Sequence, residues 1–336
     1  MAEFVSDNVS GIHPKVMKAL QDANTGYRRP YGNDELSDRL NGVFSTLFET
    51  EVFVLPCVTG TAANSLALSL MAGPINSICV HERSHVYMDE CNAPELFSGA
   101  RLLPLPGDYS KLNTQSLQTV VSEIGELHSP QPSAISLTQT TETGTIYSLD
   151  EIAAIAEFAC FYKMKMHMDG ARFANAVASI GCSPADMTWR AGLDALSFGA
   201  TKNGCLAAEA VVIFNQDFIP EARHRLKRSA QLLSKQRFLA AQLLAYVEDD
   251  LWLNSASHAN SQMAKLANRL AEVEGVELPD SIGSNMMFAK FTAEQNQRLE
   301  AAGLAGYLFE TGHMRLVCSW ATHDEEIDRF VAAVTG

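Results

Sequence analysis

Apolar positions recur along this chain in two rhythms that alternate with each other. Short runs such as Val52-Phe-Val-Leu55, Ser77 to Val80, Ser133 to Leu137 and Ala195 to Phe198 have the length and apolar content of buried strands. Between them lie stretches with helical spacing: Asn33 to Thr50, with Leu36, Leu40, Val43, Phe44 and Leu47 on one face, Ala62 to Met71, Leu149 to Phe161 behind a Ser148 cap, and Phe173 to Ile180. Lys163-Met-Lys-Met-His-Met168 alternates with period two and ends in Asp169-Gly-Ala-Arg172, while Ala207 to Phe214 reads as a returning strand. This strand and helix cadence predicts an α/β fold with a mostly parallel sheet covered on both faces.

The rhythm changes at both ends. Residues 1–32 carry a short helical run, His13 to Asp22, and then Gly26-Tyr-Arg-Arg-Pro-Tyr-Gly32, an arm suited to lying over a neighbouring molecule. A large domain is expected over 33–249, closing with a long basic helix or helix pair from Asp217 to Glu248. A smaller α+β domain follows over 250–336: a helix near His258 to Glu274, a strand Asn285 to Phe291, a helix near Ala293 to Ala302, Tyr307 to Glu310, a strand in His313 to Trp320, and a last helix from Asp324 to Val334.

With 336 residues, 47% of them hydrophobic, the chain is long enough for these two domains. A formal net charge of −14 without a basic block argues against nucleic acid or an anionic membrane as partner. Seven cysteines without a Cys-x-x-Cys pair read as reduced thiols. No signal-like start or membrane-length apolar run is visible, so a cytoplasmic protein is expected.

Chemistry enters at strand ends, where open α/β sheets bind ligands. Lys202 follows the Ala195 to Phe198 strand, and Asp169 ends the preceding one. An amine and an acid so placed are what pyridoxal phosphate needs: the lysine forms a Schiff base and the carboxylate pairs with the pyridinium nitrogen. Thr59-Gly-Thr-Ala-Ala-Asn64 opens a helix whose free N–H groups suit a phosphate. His85 lies beyond a strand end, where an imidazole can stack on a planar cofactor; His128, in a Pro-rich loop, is a second candidate. Arg315, alternating with apolar neighbours, suits a bidentate grip on a carboxylate.

Laid out in order, Ser6-Asp7, Tyr31-Gly-Asn-Asp34, Thr59 to Asn64, Ser84-His85, the Gln139 to Gly144 turn, His167-Met-Asp-Gly-Ala-Arg172, Thr201-Lys202 and Arg315-Leu-Val resemble the low-specificity threonine aldolases. These belong to the β-eliminating lyase group of fold-type-I pyridoxal-phosphate enzymes, whose large domain is aspartate-aminotransferase-like. The resemblance covers essentially the whole chain. It implies that Lys202 binds the cofactor covalently, that Asp169 meets its ring nitrogen and that His85 stacks on the ring. Gly60 and Thr61, together with Thr201, Arg172 and one of Lys227 and Lys235, would hold the cofactor. Ser6, Arg172 and Arg315 would hold the substrate carboxylate, and His85 with His128 would face its β-hydroxyl. It further implies a tetramer built from dimers, with Tyr31 and a basic residue of the long helix reaching a neighbour's site. The expected reaction is cleavage of L-threonine, L-allo-threonine and related amino acids to glycine and an aldehyde. An aminotransferase, a serine hydroxymethyltransferase or a non-catalytic α/β binding protein stand as alternatives.

Overall fold

The computed structural model describes residues 3–309 and 311–336. Glu310, expected to end a strand, lies outside them. Seven strands form one sheet: β1 (Phe53–Cys57), β2 (Asn76–His81), β3 (Arg101–Leu105), β4 (Gln131–Thr138), β5 (Lys165–Gly170), β6 (Ala195–Gly199) and β7 (Glu209–Ile213), in the spatial order β1-β7-β6-β5-β4-β2-β3. Neighbours from β6 through β5, β4 and β2 to β3 pair in parallel, and β7 pairs antiparallel with both β6 and β1. The sheet is therefore mostly parallel, as the cadence predicts.

Both faces are apolar, which is why these strands read as nearly continuous hydrophobic runs. Val54, Cys79, Ile135, Leu137, Met166, Met168, Leu196, Phe198 and Val212 face one core, which they share with the helices Glu35–Leu47, Leu149–Phe161 and Arg237–Val247. Leu55, Ile78, Val80, Ala134, Ala195, Val211 and Ile213 face the other, under the helix Gly60–Ser69. Polar residues interrupt this second face in one cross-strand row. His167 bonds Ser136 Oγ through Nδ1 (2.8 Å) and Ser197 Oγ through Nε2 (2.9 Å). Burial holds the imidazole down to about 4, so it is neutral at pH 7. Asp169 follows two residues on along the same face, at the tip of β5.

Strand β3, Arg-Leu-Leu-Pro-Leu, lacks the signal of the others because it lies at the sheet edge, where Pro104 and one-sided pairing are tolerated. The basic helix near Lys227 is two helices, Ile219–Arg228 and Arg237–Val247. Ala230 takes a positive φ in the break. The intervening segment bonds the end of β1 instead: Val58 N donates to Gln231 Oε1 (3.1 Å), and Gln236 Nε2 donates to Pro56 O (3.2 Å).

The C-terminal part forms an antiparallel sheet of β8 (Met286–Lys290), β9 (Tyr307–Leu308) and β10 (His313–Val317), with β10 central. The helix Leu251–Leu270 starts earlier than its pattern suggests and serves both domains. Trp252 and Ala256 lie in the large core; Met263, Leu266 and Leu270 lie in the small one. Phe4 is buried in the small core, its carbonyl accepting Val317 N (2.8 Å), and the helix Pro14–Ala23 packs on Arg237–Val247, while Tyr27 stands fully exposed. Among the described residues no helix is long and apolar enough to cross a membrane.

Candidate active site

Four adjacent strands, β2, β4, β5 and β6, end side by side, and each delivers one polar residue at or just beyond its carboxyl end: His85, Glu142, Asp169 and Lys202. Register fixes the centre of this row, since Thr138 of β4 and Ser197 of β6 both pair with Asp169. Lys202 follows five residues after Ser197, in the turn beyond β6, and is near enough for the charge of Asp169 to act on its amine.

Asp169 is buried and held from two directions. Ala171 N donates to Oδ1 (3.0 Å), and Asn64 Nδ2, from the helix Gly60–Ser69, donates to Oδ2 (2.9 Å). The same Asn64 amine also donates to Glu90 Oε1 (2.8 Å), and that oxygen meets His85 Nδ1 at 2.9 Å. A chain of contacts thus runs from the acid of β5 to the imidazole beyond β2. The hydrogen bond to Glu90 raises His85 above its ordinary value; burial opposes this, and the charge of Asp169 reinforces it. Glu90, whose side chain is fully enclosed, therefore fixes the ring's direction and its tautomer.

Lys202 leads the turn after β6. Burial pulls its amine below the ordinary lysine value, with Arg172 adding to the fall and Asp7, Asp169 and Glu209 opposing it. A lysine so placed is more often neutral and nucleophilic than one in water. Glu209 sits opposite Gly199 on β7, accepts Ala200 N (2.8 Å) and is itself raised by burial.

Asp7, Arg172 and Arg315 form the third wall. Asp7 is buried and takes Arg172 Nε at 2.7 Å and Nη2 at 3.0 Å, with Asn285 Nδ2 at 3.2 Å. Burial pushes its carboxyl up, but Arg172, Lys202 and these hydrogen bonds outweigh that and leave it below the usual range. Arg315 Nη2 donates to Val5 O (3.2 Å), so Ser6 is bracketed between the two arginines. Among the described residues Arg315 Nε is buried without a partner, an arrangement suited to a carboxylate oxygen.

At the helix Gly60–Ser69, Thr59 Oγ1 accepts Ala62 N and Thr59 O accepts Ala63 N (both 3.1 Å). The N–H groups of Gly60 and Thr61 are left without an intrahelical partner. Tyr31, Lys227 and Lys235 gather elsewhere: Lys227 Nζ lies 5.3 Å from the centre of the Tyr31 ring, and Tyr31 N donates to Ser234 O (3.0 Å). Among the described residues no hydrogen bond or ion pair links Tyr31, Lys227 or Lys235 to Lys202 or Asp169.

Two expectations require correction. His128 precedes β4, at the amino end of the sheet, and is exposed. The eight residues of β4, at about 3.3 Å each, put it roughly 25 Å from the strand tips of its own chain, too far to line that chain's site. The Thr201 hydroxyl is occupied by the backbone of Ala208, accepting from its N (3.1 Å) and donating to its O (3.4 Å), so it closes the turn after Lys202 instead of standing free for a cofactor. Glu142, Glu90, Asn64, Asp7 and Glu209 are the residues that the sequence does not single out for roles; Asp7, Asn64 and Glu142 lie in the quoted Ser6-Asp7, Thr59 to Asn64 and Gln139 to Gly144 motifs and Glu209 lies near Lys202, while Glu90 carries no such signal.

Pyridoxal phosphate fits this donor set. Among the described residues Asn64 Oδ1, Glu90 Oε2 and Glu142 Oε2 near the strand tips, and Arg315 Nε of β10, are buried without partners, an arrangement that a polar ligand would complete. The sequence matches the profile of the beta-eliminating lyases over residues 3–292. The chain belongs to that family. It is 42% identical over 327 residues to a low specificity L-threonine aldolase of Pseudomonas aeruginosa, covering 97% of this chain and 94% of that one. A low specificity L-threonine aldolase of Pseudomonas sp. strain NCIMB 10558 is 40% identical over 334 residues, covering 99% and 96%. The solved threonine aldolase of Leishmania major superposes with a TM-score of 0.90 at 27% identity, covering 98% of each chain. An aminotransferase for N-succinyldiaminopimelate from Mycobacterium tuberculosis shares the fold, with a TM-score of 0.68 at 17% identity over 97% of this chain and 90% of that one.

Proposed function

We propose that this chain is a pyridoxal-phosphate-dependent lyase that splits the Cα–Cβ bond of L-threonine, L-allo-threonine and related β-hydroxy-α-amino acids such as phenylserine, releasing glycine and an aldehyde. The observation that carries the reading is the meeting of Lys202 and Asp169 at adjacent strand tips, beside two arginines. When bound, the cofactor supplies a conjugated, protonated ring that accepts the electron pair left on Cα.

Each residue has a part in that chemistry. The depressed Lys202 amine holds the cofactor covalently, and Asp169, pinned by Asn64 and Ala171 N, pairs with the ring nitrogen. Gly60 and Thr61 offer backbone N–H groups to the phosphate at the positive end of their helix. Arg315, with Arg172 and Ser6 beside it, would grip the substrate carboxylate and so restrict rotation about Cα. His85, oriented by Glu90, covers the ring face.

The names of the relatives support the aldolase reading over its fold-sharing alternatives. Assaying purified protein with L-threonine, L-allo-threonine and phenylserine separates them: an aldolase yields equimolar glycine and acetaldehyde or benzaldehyde. A keto acid formed only when a second keto acid is supplied would identify an aminotransferase and refute the reading.

The proposal extends to a cytoplasmic tetramer, a dimer of dimers in which Tyr31 and Lys227 or Lys235 complete a neighbour's site. The exposed Tyr31 ring with Lys227 over it, and the bond from Tyr31 N to the carbonyl of Ser234 beside Lys235, support this. Mixing Lys202→Ala with Tyr31→Ala protein under subunit exchange should restore part of the activity; no recovery in verified hybrids would count against a shared site.

A further inference from the structure

Glu142 is a carboxyl that nothing in the assignments above uses. It stands four residues beyond β4, between the tips that carry His85 and Asp169. Its Oε1 accepts the backbone N–H of His85 at 2.8 Å, which locks the side chain against the residue that covers the ring face. Its Oε2 is buried and, among the described residues, meets no partner at hydrogen-bonding distance and angle, although the Thr138 hydroxyl stands close to the carboxyl. Buried carboxylate oxygens are rarely left so, and an atom of this kind at a strand tip is a place for a ligand hydroxyl.

We infer that Glu142 is the catalytic base that takes the proton from the substrate's β-hydroxyl, its Oε2 facing the position that the hydroxyl occupies. The inference rests on the aldolase reading above and names a residue of that same site. The geometry follows from the neighbours. Asp169 and Lys202 would hold the cofactor, His85 would cover it, and Arg315 would draw in the substrate carboxylate. The β-carbon then projects past His85, where Glu142 is bound. In the step itself, the hydroxyl proton passes to Oε2 and the O–H pair becomes the second bond of the aldehyde carbonyl. The Cα–Cβ pair remains on Cα. A proton delivered to Cα completes glycine, and Glu142 returns its own proton to water as the aldehyde leaves.

The electrostatics agree with that role. Burial pushes the Glu142 carboxyl up to about 7, and Asp169 adds to the rise. The N–H groups of His85 and of Glu142 itself and the Thr138 hydroxyl oppose it. His85, raised by Glu90, Asp169 and Tyr147 are the titratable groups around it. A base titrating near neutrality is half ionised at the working pH and close to the optimum for proton transfer. His85 is less suited: its Nδ1 is committed to Glu90 and its raised affinity keeps it protonated to higher pH.

The decisive experiment compares wild type with Glu142→Gln, whose amide oxygen can still accept the His85 N–H, and with Glu142→Asp. In cofactor-free protein, infrared difference spectra across pH 5–9 should show one protonated-carboxyl band that disappears near pH 7 in wild type and is absent from Glu142→Gln. In loaded protein the cofactor absorbance and the exchange of a glycine α-proton with solvent should persist in Glu142→Gln, since neither needs the β-hydroxyl. Its threonine cleavage should fall about 100-fold or more. The acid limb of the wild-type profile near pH 7 should vanish with it, and Glu142→Asp should recover part of the rate. Threonine cleavage within about threefold of wild type, with the acid limb unmoved, would overturn the assignment. Loss of glycine exchange in wild type itself would instead bring down the aldolase reading beneath it.

Discussion

Replacing Asp7 by Asn changes one atom and removes the negative charge on which three parts of the molecule converge. Arg172 comes from the turn after β5, Asn285 opens β8, and Asp7 belongs to the amino-terminal segment. An Asn there can offer one acceptor to Arg172 but leaves a largely buried guanidinium without its counter-ion, beside Arg315 and Lys202. Breaking a buried ion pair from one side costs about 3–5 kcal/mol. Chemical unfolding at pH 7, followed by far-ultraviolet circular dichroism, should show a loss of that size. The pH dependence has a definite sign. Asp7 is depressed in the folded protein, so its contribution is present above the unfolded value of 3.8 and disappears as pH falls through the lower folded value. The difference between wild type and Asp7→Asn should stay full from pH 8 to pH 5 and shrink only below about pH 4. A loss under about 1 kcal/mol at pH 7, or a difference that closes between pH 8 and pH 5, would refute the view that this carboxylate is the counter-charge of the arginine pair.

Other consequences follow from the same geometry. Arg315→Lys should raise KM for the amino acid about 10-fold or more while leaving the cofactor absorbance in place, because a point charge cannot reproduce the fork that a carboxylate needs; saturation kinetics beside spectra test it. Asp169→Asn should keep the bound chromophore yet lower kcat about 100-fold or more, since an amide does not hold the proton on the ring nitrogen; single-turnover rates decide this. His128→Ala, at the far end of β4, should leave kcat/KM within about twofold of wild type, and a larger loss would restore the histidine to the site.

What the sequence made legible is what repeats or what ends a repeat. Asp169 could be found because six residues of alternation, Lys163 to Met168, lead to it, and Lys202 because an apolar strand stops just before it. Sheet order, by contrast, needed coordinates: β1 lies beyond β7, a pairing across most of the large domain. Glu142 was hidden because its meaning comes from a bond to a residue 57 positions away, and a Thr-Glu-Thr turn carries no periodic mark. Glu90 and Asn64 were hidden in the same way, each defined by who shares its oxygen or amine. His128 misled because a loop before a strand and a loop after it look alike in sequence, although they lie at opposite ends of the sheet. Whether Asp217 to Glu248 is one helix or a pair stayed open in the sequence, because Gln231 and Gln236 in the break bond the backbone at the end of β1 and carry no helix-stop signal of their own.

The central claim is that one amine, on the turn after β6, carries the cofactor. It is tested most directly by loading the protein with pyridoxal phosphate, reducing with borohydride and mapping the modified peptide by mass spectrometry. The account predicts a visible absorbance that reduction bleaches, and a single stable adduct on Lys202 that is absent from Lys202→Ala. An adduct on another lysine, or a protein that gains no absorbance at all, would contradict it.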